Sequence, residues 1–313
     1  MVRIYLFTAA LFLSICSFAQ DDLLSMVDDG AKEPSKKVYA TFKTYRLGNG
    51  QSVETVKKRN LDYRIGHRFG NLYNTDVSDA LNTAAHTAFG FDAASDIRNS
   101  FDYGITDNLT VGIGRSRMRE LVDGSFKWKF LTQTQDFKIP VSMALFGSMG
   151  YTTMKTSQLY NGIVKDFPTN EAHRVNYFGQ LIIACKISSW LSLQVSPSYY
   201  HRNYIMQAVN VNNGKEDVNG FFTLGFGGRL KLTKRMCIIG DYFYNFAPYY
   251  QNNPVAYNPL SLGFEIETGG HVFSLLFTNA SGFTENNFIG YTTDSWTKSQ
   301  IKFGFCISRT FAF

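Results

Sequence analysis

The last fourteen residues alternate between apolar and polar side chains, and the sequence ends on phenylalanine. From Ile301 onward, the odd-numbered positions are apolar apart from Arg309, and the even-numbered positions are small or polar. A period of two indicates a β-strand with one apolar face. An apolar face of this length that ends in an aromatic residue is typical of the closing strand of a bacterial outer-membrane barrel. In such a strand we expect Phe311 and Phe313 to act as the assembly signal.

The beginning of the chain has the pattern of a secretory signal peptide. Arg3 precedes an apolar run, and Ser17-Phe18-Ala19 supplies a small-x-small cleavage site. We therefore predict a signal peptide over 1–19, whose apolar core is too short to span a bilayer. Cys16 raises the alternative of a lipoprotein, although a bulky isoleucine precedes it. The predicted destination of the exported chain is the bacterial outer membrane.

Composition excludes several other classes of protein. Beyond the leader no apolar run approaches the roughly 18 residues of a transmembrane helix, whereas alternating strands average out in such a window. The net charge of +6 in an exported chain favours attraction to anionic solutes or lipopolysaccharide over nucleic acid. Cys185, Cys237 and Cys306 are odd in number and form no CxxC pair, so we expect neither a disulfide framework nor a zinc site. We predict no cofactor and no metal.

Twelve alternating segments predict the barrel itself. Their cores are 61–69, 97–104, 109–117, 121–131, 139–151, 175–187, 191–203, 219–232, 236–246, 260–268, 271–279 and 299–313. Short turns and longer polar connections alternate between them, which is typical of periplasmic turns and external loops. An even number of strands closes a barrel without an edge. The predicted fold is an all-β, transmembrane, antiparallel up-and-down barrel over 61–313, apolar towards lipid and polar towards the lumen.

Residues 20–60 form a separate N-terminal segment in this scheme. The segment has an acidic start, and Gly48-Asn49-Gly50 predicts a hairpin. The sequence leaves two positions open for it, because the segment either plugs the lumen or lies in the periplasm.

Three stretches of the sequence resemble a known family. They are Gly50-Gln-Ser-Val-Glu-Thr55, His67-Arg-Phe-Gly70 and Asp102-Tyr-Gly-Ile-Thr-Asp-Asn-Leu-Thr-Val-Gly-Ile-Gly-Arg115. The chain resembles, over roughly 40–313, an uncharacterised family of signal-bearing β-barrels from Bacteroidetes-type bacteria. The resemblance implies an outer-membrane barrel and supplies no activity, so it carries over no catalytic residues.

Strand parity places a set of charged side chains in the lumen, where cations outnumber acids. Such a lumen predicts a pore for small, anionic solutes. The alternative is a non-conducting structural or surface-binding barrel, in which the same charges pair and fill the interior. The predicted lumen-lining selectivity residues are Arg64, Arg68, Arg98, Lys127, Lys129, Lys186, Arg229, Lys231, Asp241, Glu265, Glu267 and Lys302.

A lipid-modifying enzyme is the third interpretation. His67 and His201 fall on the lipid face near the external rim, where a histidine beside a serine could hydrolyse lipid. No His-with-Ser signature accompanies them, so we expect no enzymatic activity and assign no catalytic residue. The predicted partners are membrane lipid and lipopolysaccharide, the barrel assembly machinery and a small anionic solute, and nucleic acid is not among them.

Overall fold

The computed structural model describes residues 35–155 and 170–313, and the predicted leader and the acidic start of the N-terminal segment lie outside these ranges. Twelve antiparallel strands form one closed barrel in which each strand pairs with its sequence neighbours and the last strand pairs with the first. They are numbered after the two short strands of an N-terminal hairpin, β1 (Arg46–Leu47) and β2 (Gly50–Gln51). The predicted fold class is therefore confirmed. The barrel strands are β3 (Asn60–Asn71), β4 (Ala94–Thr106), β5 (Leu109–Ser116), β6 (Leu121–Leu131), β7 (Ser142–Thr152), β8 (Val175–Lys186), β9 (Leu191–Arg202), β10 (Gly220–Lys231), β11 (Met236–Asn245), β12 (Leu260–Thr268), β13 (His271–Thr278) and β14 (Lys302–Ala312).

Two strands begin three residues later than the sequence pattern predicts. β7 begins at Ser142, because Pro140 lacks the N–H group that a ladder requires. β14 begins at Lys302 rather than at 299, because Ser299 has a positive φ of 57° at the end of a 3₁₀ turn. The alternation of buried and more exposed residues continues through β7 and, in β14, as far as Ser308, although the pairing of β14 with β3 has a register shift between Lys302 and Gly304.

The faces of the barrel are inverted relative to a water-soluble sheet. Large apolar side chains point outwards and are exposed, among them Phe222 at 67% and Ile113 at 59%. Charged and amide side chains point inwards and are buried, as Arg98, Lys127 and Gln180 illustrate. An apolar exterior around a polar interior is the arrangement that a bilayer requires.

Helical structure is confined to the connections. A helix at Ala80–His86 lies between β3 and β4, and a single turn at Glu285–Phe288 lies between β13 and β14. Within the described ranges, no helix is both long and apolar enough to cross a membrane. The 3₁₀ turns are Met118–Glu120, Glu171–Arg174, Pro248–Tyr250 and Trp296–Lys298.

The N-terminal segment, here residues 35–59, lies inside the barrel. It begins at the end that carries the short turns, where the Val38 amide donates to the Gln133 carbonyl at 2.8 Å. It then forms a hairpin from β1 (Arg46–Leu47) and β2 (Gly50–Gln51) and returns to the same end. Its apolar residues are buried against the wall, including Phe42, Leu47 and Val53.

The last long connection also folds inwards. This inner loop, residues 279–301, enters the lumen from the opposite end of the barrel, which carries the long loops. Glu285, Phe288 and Ile289 are completely buried. The ring of Phe288 packs on Phe243 of β11 with centroids 5.3 Å apart. The inner loop therefore forms part of the core of the barrel and not an external surface.

Candidate functional site

The hairpin tip is held by polar groups from several strands. Gly48 has a φ of +60°, a left-handed conformation that suits glycine at a tight turn. The Gly50 amide donates to Asp241 Oδ2 at 2.7 Å, and Asn49 Nδ2 donates to Thr278 Oγ1 at 3.1 Å. Arg68 Nη2 donates to Asn49 Oδ1 at 2.9 Å. The turn is therefore fixed to β3, β11 and β13 at once.

Lys127 of β6 binds the backbone of the N-terminal segment. Its ammonium group donates to the carbonyl oxygens of Tyr45, Ser52 and Glu54 at 2.6, 3.0 and 3.1 Å. The side chain is only 3% exposed. An ammonium group has three donors and no acceptor, so three carbonyl oxygens satisfy it fully.

Tyr45 of the segment lies against Arg64 and Asp102 of the wall. The tyrosine hydroxyl donates to the Asp102 carboxylate. The Arg64 guanidinium lies over the Tyr45 ring at 4.7 Å from its centroid, a cation–π arrangement. Arg64 Nη1 contacts the Cys306 sulfur at 3.7 Å, and the other nitrogens of this guanidinium have no hydrogen-bond partner among the described residues.

Arg68 holds the inner loop in the same way as Lys127 holds the segment. Its Nη1 donates to the carbonyl oxygens of Ala280, at 3.0 Å, and Gly282. Its guanidinium also lies 4.3 Å from the ring centroid of Phe283. Arg68 is completely buried, so the loop and the segment share one wall cation.

The segment and the inner loop meet near the middle of the lumen. Arg46 Nη2 contacts Glu285 Oε2 at 3.2 Å, and Arg46 Nη1 donates to the Phe283 carbonyl at 2.8 Å. Gln51 Nε2 donates to Glu285 Oε1 at 3.2 Å. Beside this junction lies a cavity of about 20 Å³. The described parts of the segment and the inner loop therefore together fill the lumen at this depth, apart from this small cavity.

A larger cavity opens at the short-turn end and is here called the short-turn vestibule. Its volume is about 750 Å³, and its lining includes eight cationic side chains against three carboxylates. Two of the cations make ion pairs, Lys129 with Glu54 at 3.1 Å and Lys43 with Glu267 at 2.7 Å. The eight cations are Lys37, Lys43, Lys57, Lys129, Lys186, Arg229, Lys231 and Lys234, and the carboxylates are Glu54, Asp62 and Asp107.

One carboxylate at this end binds Ser35, the first described residue of the segment. Ser35 Oγ donates to Asp136 Oδ2 at 2.6 Å in the turn between β6 and β7. Hydrogen bonds from Ser35 and then from Thr134 hold the pKa of the Asp136 carboxyl below its ordinary value. The carboxylate is therefore ionised at neutral pH and available as an acceptor.

The structure places the predicted lumen residues at three depths. Lys129, Lys186, Arg229 and Lys231 line the short-turn vestibule, Glu267 pairs with Lys43 beside it, and Glu265 accepts from Thr44 at 2.7 Å. Arg64, Arg68, Arg98, Lys127 and Asp241 lie deeper, against the segment and the inner loop. Lys302 contacts Asp294 of the inner loop near the long-loop end. A role for these residues in selectivity stays a prediction.

The other predicted positions lie on the outer surface or at its edge. Phe311 is 37% exposed and Phe313 is 79% exposed at the short-turn end. The His67 ring lies 4.3 Å from the Phe69 ring, and His201 stacks on Tyr199 at 6.5 Å. Among the residues described, no group of three or more histidine, cysteine, aspartate or glutamate side chains could hold a metal ion.

Sequence reasoning missed the inner loop. Its length and position predict an external loop, yet Phe283, Phe288 and Ile289 make it more apolar than a solvated connection. That composition was the available signal, because a loop rich in such residues needs a surface to cover. The partner of Arg46, Glu285, could not be inferred from local pattern, since 239 positions separate the two.

The closed antiparallel sheet, its apolar exterior and its filled polar lumen define a membrane-spanning β-barrel. The chain belongs to the membrane bound beta barrel domain family (DUF5777), whose profile matches residues 42–311. That range contains eleven of the twelve barrel strands, β3 to β13, and most of the twelfth, β14. It also contains the hairpin and the inner loop. No curated protein matches this sequence.

Solved structures with a similar fold include porins. The chain is similar to the NanC porin at 7% identity, with 81% of this chain and 100% of that chain covered and a TM-score of 0.45. It is similar to the KdgM porin at 9% identity, with 80% and 99% covered and a TM-score of 0.43. An outer-membrane channel from Pseudomonas putida F1 gives 8% identity, 83% and 98% coverage and a TM-score of 0.40. Likeness at this level carries no information about activity.

Proposed function

We propose that this chain is an outer-membrane channel for small, anionic solutes that is closed in the described state. In this proposal the N-terminal segment is the movable closure, and its displacement opens the lumen. The short-turn end faces the periplasm, and the leader is removed after Ala19. An origin in Bacteroidetes-type bacteria, contact with lipopolysaccharide and insertion by the barrel assembly machinery are part of the same proposal.

The observation that carries the proposal is how the wall cations are neutralised. Among the described ion pairs of lumen-facing cations, only Arg98–Asp123 joins two strands of the wall, with Nη2–Oδ2 at 2.7 Å. Arg64, Arg68 and Lys127 instead meet rings, carbonyls and amides of the segment and the inner loop. Removing those elements would free these three cations together with the carboxylates of Asp102 and Asp241, which accept from Tyr45 and Gly50. The direction of selectivity in this proposal therefore rests on the short-turn vestibule, where cations outnumber acids.

The short-turn vestibule supports selectivity for anions. Eight cations against three carboxylates around about 750 Å³ give a net positive cavity at one entrance. A cavity lined by one sign of charge raises the local concentration of the opposite ion. Its volume also falls in the range of roughly 300–1,000 Å³ that small-molecule sites occupy.

A non-conducting structural or surface-binding barrel is the second candidate. The contact of Arg46 with Glu285 favours it, because this junction joins two elements that fill the lumen from opposite ends. A permanent filling of this kind would rigidify the barrel and leave its external loops as the functional surface. The two candidates differ in whether the segment leaves the lumen under native conditions.

Single-channel recording of the refolded chain tests the proposal. The test variant carries Asn49→Cys in the hairpin and Thr278→Cys in the wall, so that a disulfide or thiol cross-link can hold the hairpin in place. The hydrogen-bonding atoms of the two native side chains are 3.1 Å apart. The native Cys185, Cys237 and Cys306 are replaced by alanine in this background. We expect intermittent anion-preferring steps from the reduced protein, silence after oxidation or a short thiol cross-linker, and recovery with reductant. The Asn49→Cys variant alone is the control and should conduct under both conditions.

Silence from the folded, reduced chain at all voltages would contradict the proposal and favour the non-conducting barrel. Heat-modifiable migration on gels establishes that the silent protein is folded. If steps occur, charge reversal by Arg64→Glu and Lys127→Glu should shift the reversal potential towards cations, because both side chains line the opened path.

A further inference from the structure

A small cavity inside the barrel is lined by three arginines. It lies between the hairpin, the wall and the inner loop, and its volume is about 20 Å³. Arg46 comes from the segment, whereas Arg64 and Arg98 come from β3 and β4. No carboxylate belongs to the described lining, which otherwise consists of glycine, serine, cysteine and apolar side chains.

Two of the three guanidinium groups are neutralised outside the cavity. Arg46 pairs with Glu285 at 3.2 Å, and Arg98 pairs with Asp123 through two contacts of 2.5 and 2.7 Å. Each lines the cavity, and its charge is balanced by a carboxylate that is not part of the lining. These two arginines do not require an additional anion.

Arg64 is different, because it is buried without an oxygen acceptor. The residue is 7% exposed, and its only hydrogen-bond contact among the described atoms is the Cys306 sulfur at 3.7 Å. Its Nε and Nη2 atoms are buried with no partner. Asp62 and Asp102 are nearby in the barrel and accept from Thr310 and Tyr45. Asp62 Oδ1 is buried without a partner of its own, but neither carboxylate forms a hydrogen bond or ion pair with Arg64 among the described residues.

An unpartnered guanidinium in a dry interior is unfavourable. Burying a donor without an acceptor costs about 1–3 kcal/mol, and burying an uncompensated charge costs more. The Tyr45 ring face compensates part of that charge through the cation–π contact at 4.7 Å. It offers nothing to the N–H groups of Nε and Nη2, which lie at the edge of the guanidinium plane.

We propose that this cavity binds one chloride-sized anion, held by Arg64 Nε and Nη2 within the field of Arg46 and Arg98. The volume suits a single small occupant, since about 10–15 Å³ of such space accommodates one water molecule. Chloride accepts hydrogen bonds from several N–H donors, and it would supply the acceptor that Arg64 Nε and Nη2 do not have. Phosphate and sulfate are too large for this space.

The site would exist only while the segment is in place. Arg46 and Gly48 form one side of the cavity, so withdrawal of the hairpin opens it to water. A ligand that binds one state and not the other stabilises that state by RT ln(1 + [L]/Kd). Chloride is therefore a ligand that holds the segment inside the barrel. This inference concerns retention of the segment and holds whether or not the barrel conducts.

Hydrogen exchange of the full chain in detergent micelles tests the inference. The probes are sodium chloride, bromide, gluconate and sulfate at one ionic strength and pH. We expect chloride and bromide to slow exchange of the hairpin amides about tenfold relative to gluconate and sulfate, in a saturable manner. Arg64→Met should abolish the halide effect. Lys302→Met is the matched control, because that buried cation pairs with Asp294 away from the cavity, and it should keep the effect.

Diffraction from crystals of the native chain in bromide gives a second measurement if Arg64→Met fails to fold. An anomalous peak within hydrogen-bond distance of Arg64 Nε and Nη2 would support the site. Equal exchange in chloride and gluconate, or crystals without such a peak, would overturn it in favour of a single water molecule. A halide effect that persists in the Arg64→Met variant would overturn it as well. None of these readouts uses conductance, so they are independent of the proposed channel.

Discussion

Replacing Lys127 with methionine should release the N-terminal segment while leaving the barrel wall intact. The ammonium group makes three hydrogen bonds to backbone carbonyls of the segment, those of Tyr45, Ser52 and Glu54. Methionine has a similar length and no donor, so it keeps the packing and removes all three bonds. The three carbonyl oxygens then stay in the lumen without this donor, or the segment moves to expose them to water.

The size of the effect follows from these contacts. A hydrogen bond contributes about 1 kcal/mol net, and one to a charged group contributes about 1.5–3 kcal/mol. The gain from Lys127 is reduced by the cost of removing its ammonium group from water when the segment docks, which is several kcal/mol for a buried ion. We therefore expect a loss of about 3 kcal/mol in the free energy of docking, close to a hundredfold change in the docking equilibrium.

Hydrogen exchange measures that equilibrium directly. The Gly50 amide donates to Asp241 of the wall, and the Ser52 amide donates to the Tyr45 carbonyl within the hairpin. A two-stranded hairpin away from the wall is only marginally stable, so both amides exchange when the segment undocks. We expect both to exchange roughly a hundred times faster in the Lys127→Met variant. Amides in the middle of β8, which do not contact the segment through their backbone, provide the internal reference for barrel integrity.

Lys302→Met is the control for this experiment. Lys302 is 3% exposed, as Lys127 is, but its partners are Asn71 and Asp294. Its replacement should leave Gly50 exchange unchanged and speed exchange in the inner loop. If Gly50 exchanges at the native rate in Lys127→Met, the carbonyl contacts do not hold the segment and the reasoning is refuted.

Three further outcomes follow from other contacts. Arg98→Met should lower the free energy of unfolding by about 3–5 kcal/mol, because it leaves the buried Asp123 carboxylate without its ion-pair partner. Urea titration in lipid vesicles measures this loss, and adding Asp123→Leu should recover most of it. Gly48→Ala should cost about 1–2 kcal/mol of docking, because its φ is +60° and a Cβ would lie 2.8 Å from Asp241 Oδ2; hairpin amides that exchange at the native rate would argue against this. Deletion of Phe313, which is 79% exposed, should reduce the amount of barrel assembled in cells while the urea midpoint of the refolded chain stays the same, and equal assembly would exclude it as a signal.

The barrel could be predicted from sequence because its pattern is local. A period of two follows from backbone geometry, so alternation assigns each strand and each face without knowledge of distant residues. Arg98 and Lys127 were placed in the lumen on this basis, and the structure buries both. The twelve strand segments were found in the same way.

The filling of the lumen could not be predicted in the same way, because it depends on contacts between distant parts of the chain. Gly48-Asn49-Gly50 predicts a turn, but nothing in that tripeptide indicates that Arg68 and Asp241 receive it. The inner loop has no periodic pattern, so whether it folds into the lumen or away from it depends on how its side chains fit the wall. Counting charges likewise revealed an excess of cations without revealing which are met by carbonyl oxygens.

The junction of Arg46 with Glu285 also constrains the order of assembly. β3 directly follows the segment, and it closes the barrel by pairing with β14, which directly follows the inner loop. The first barrel strand to be synthesised therefore pairs with the last, and Glu285 follows eleven of the twelve barrel strands in the chain. Contacts across 239 positions of sequence are slow to form. This contact therefore cannot form until the chain has been synthesised through β13, which makes it a marker of late assembly.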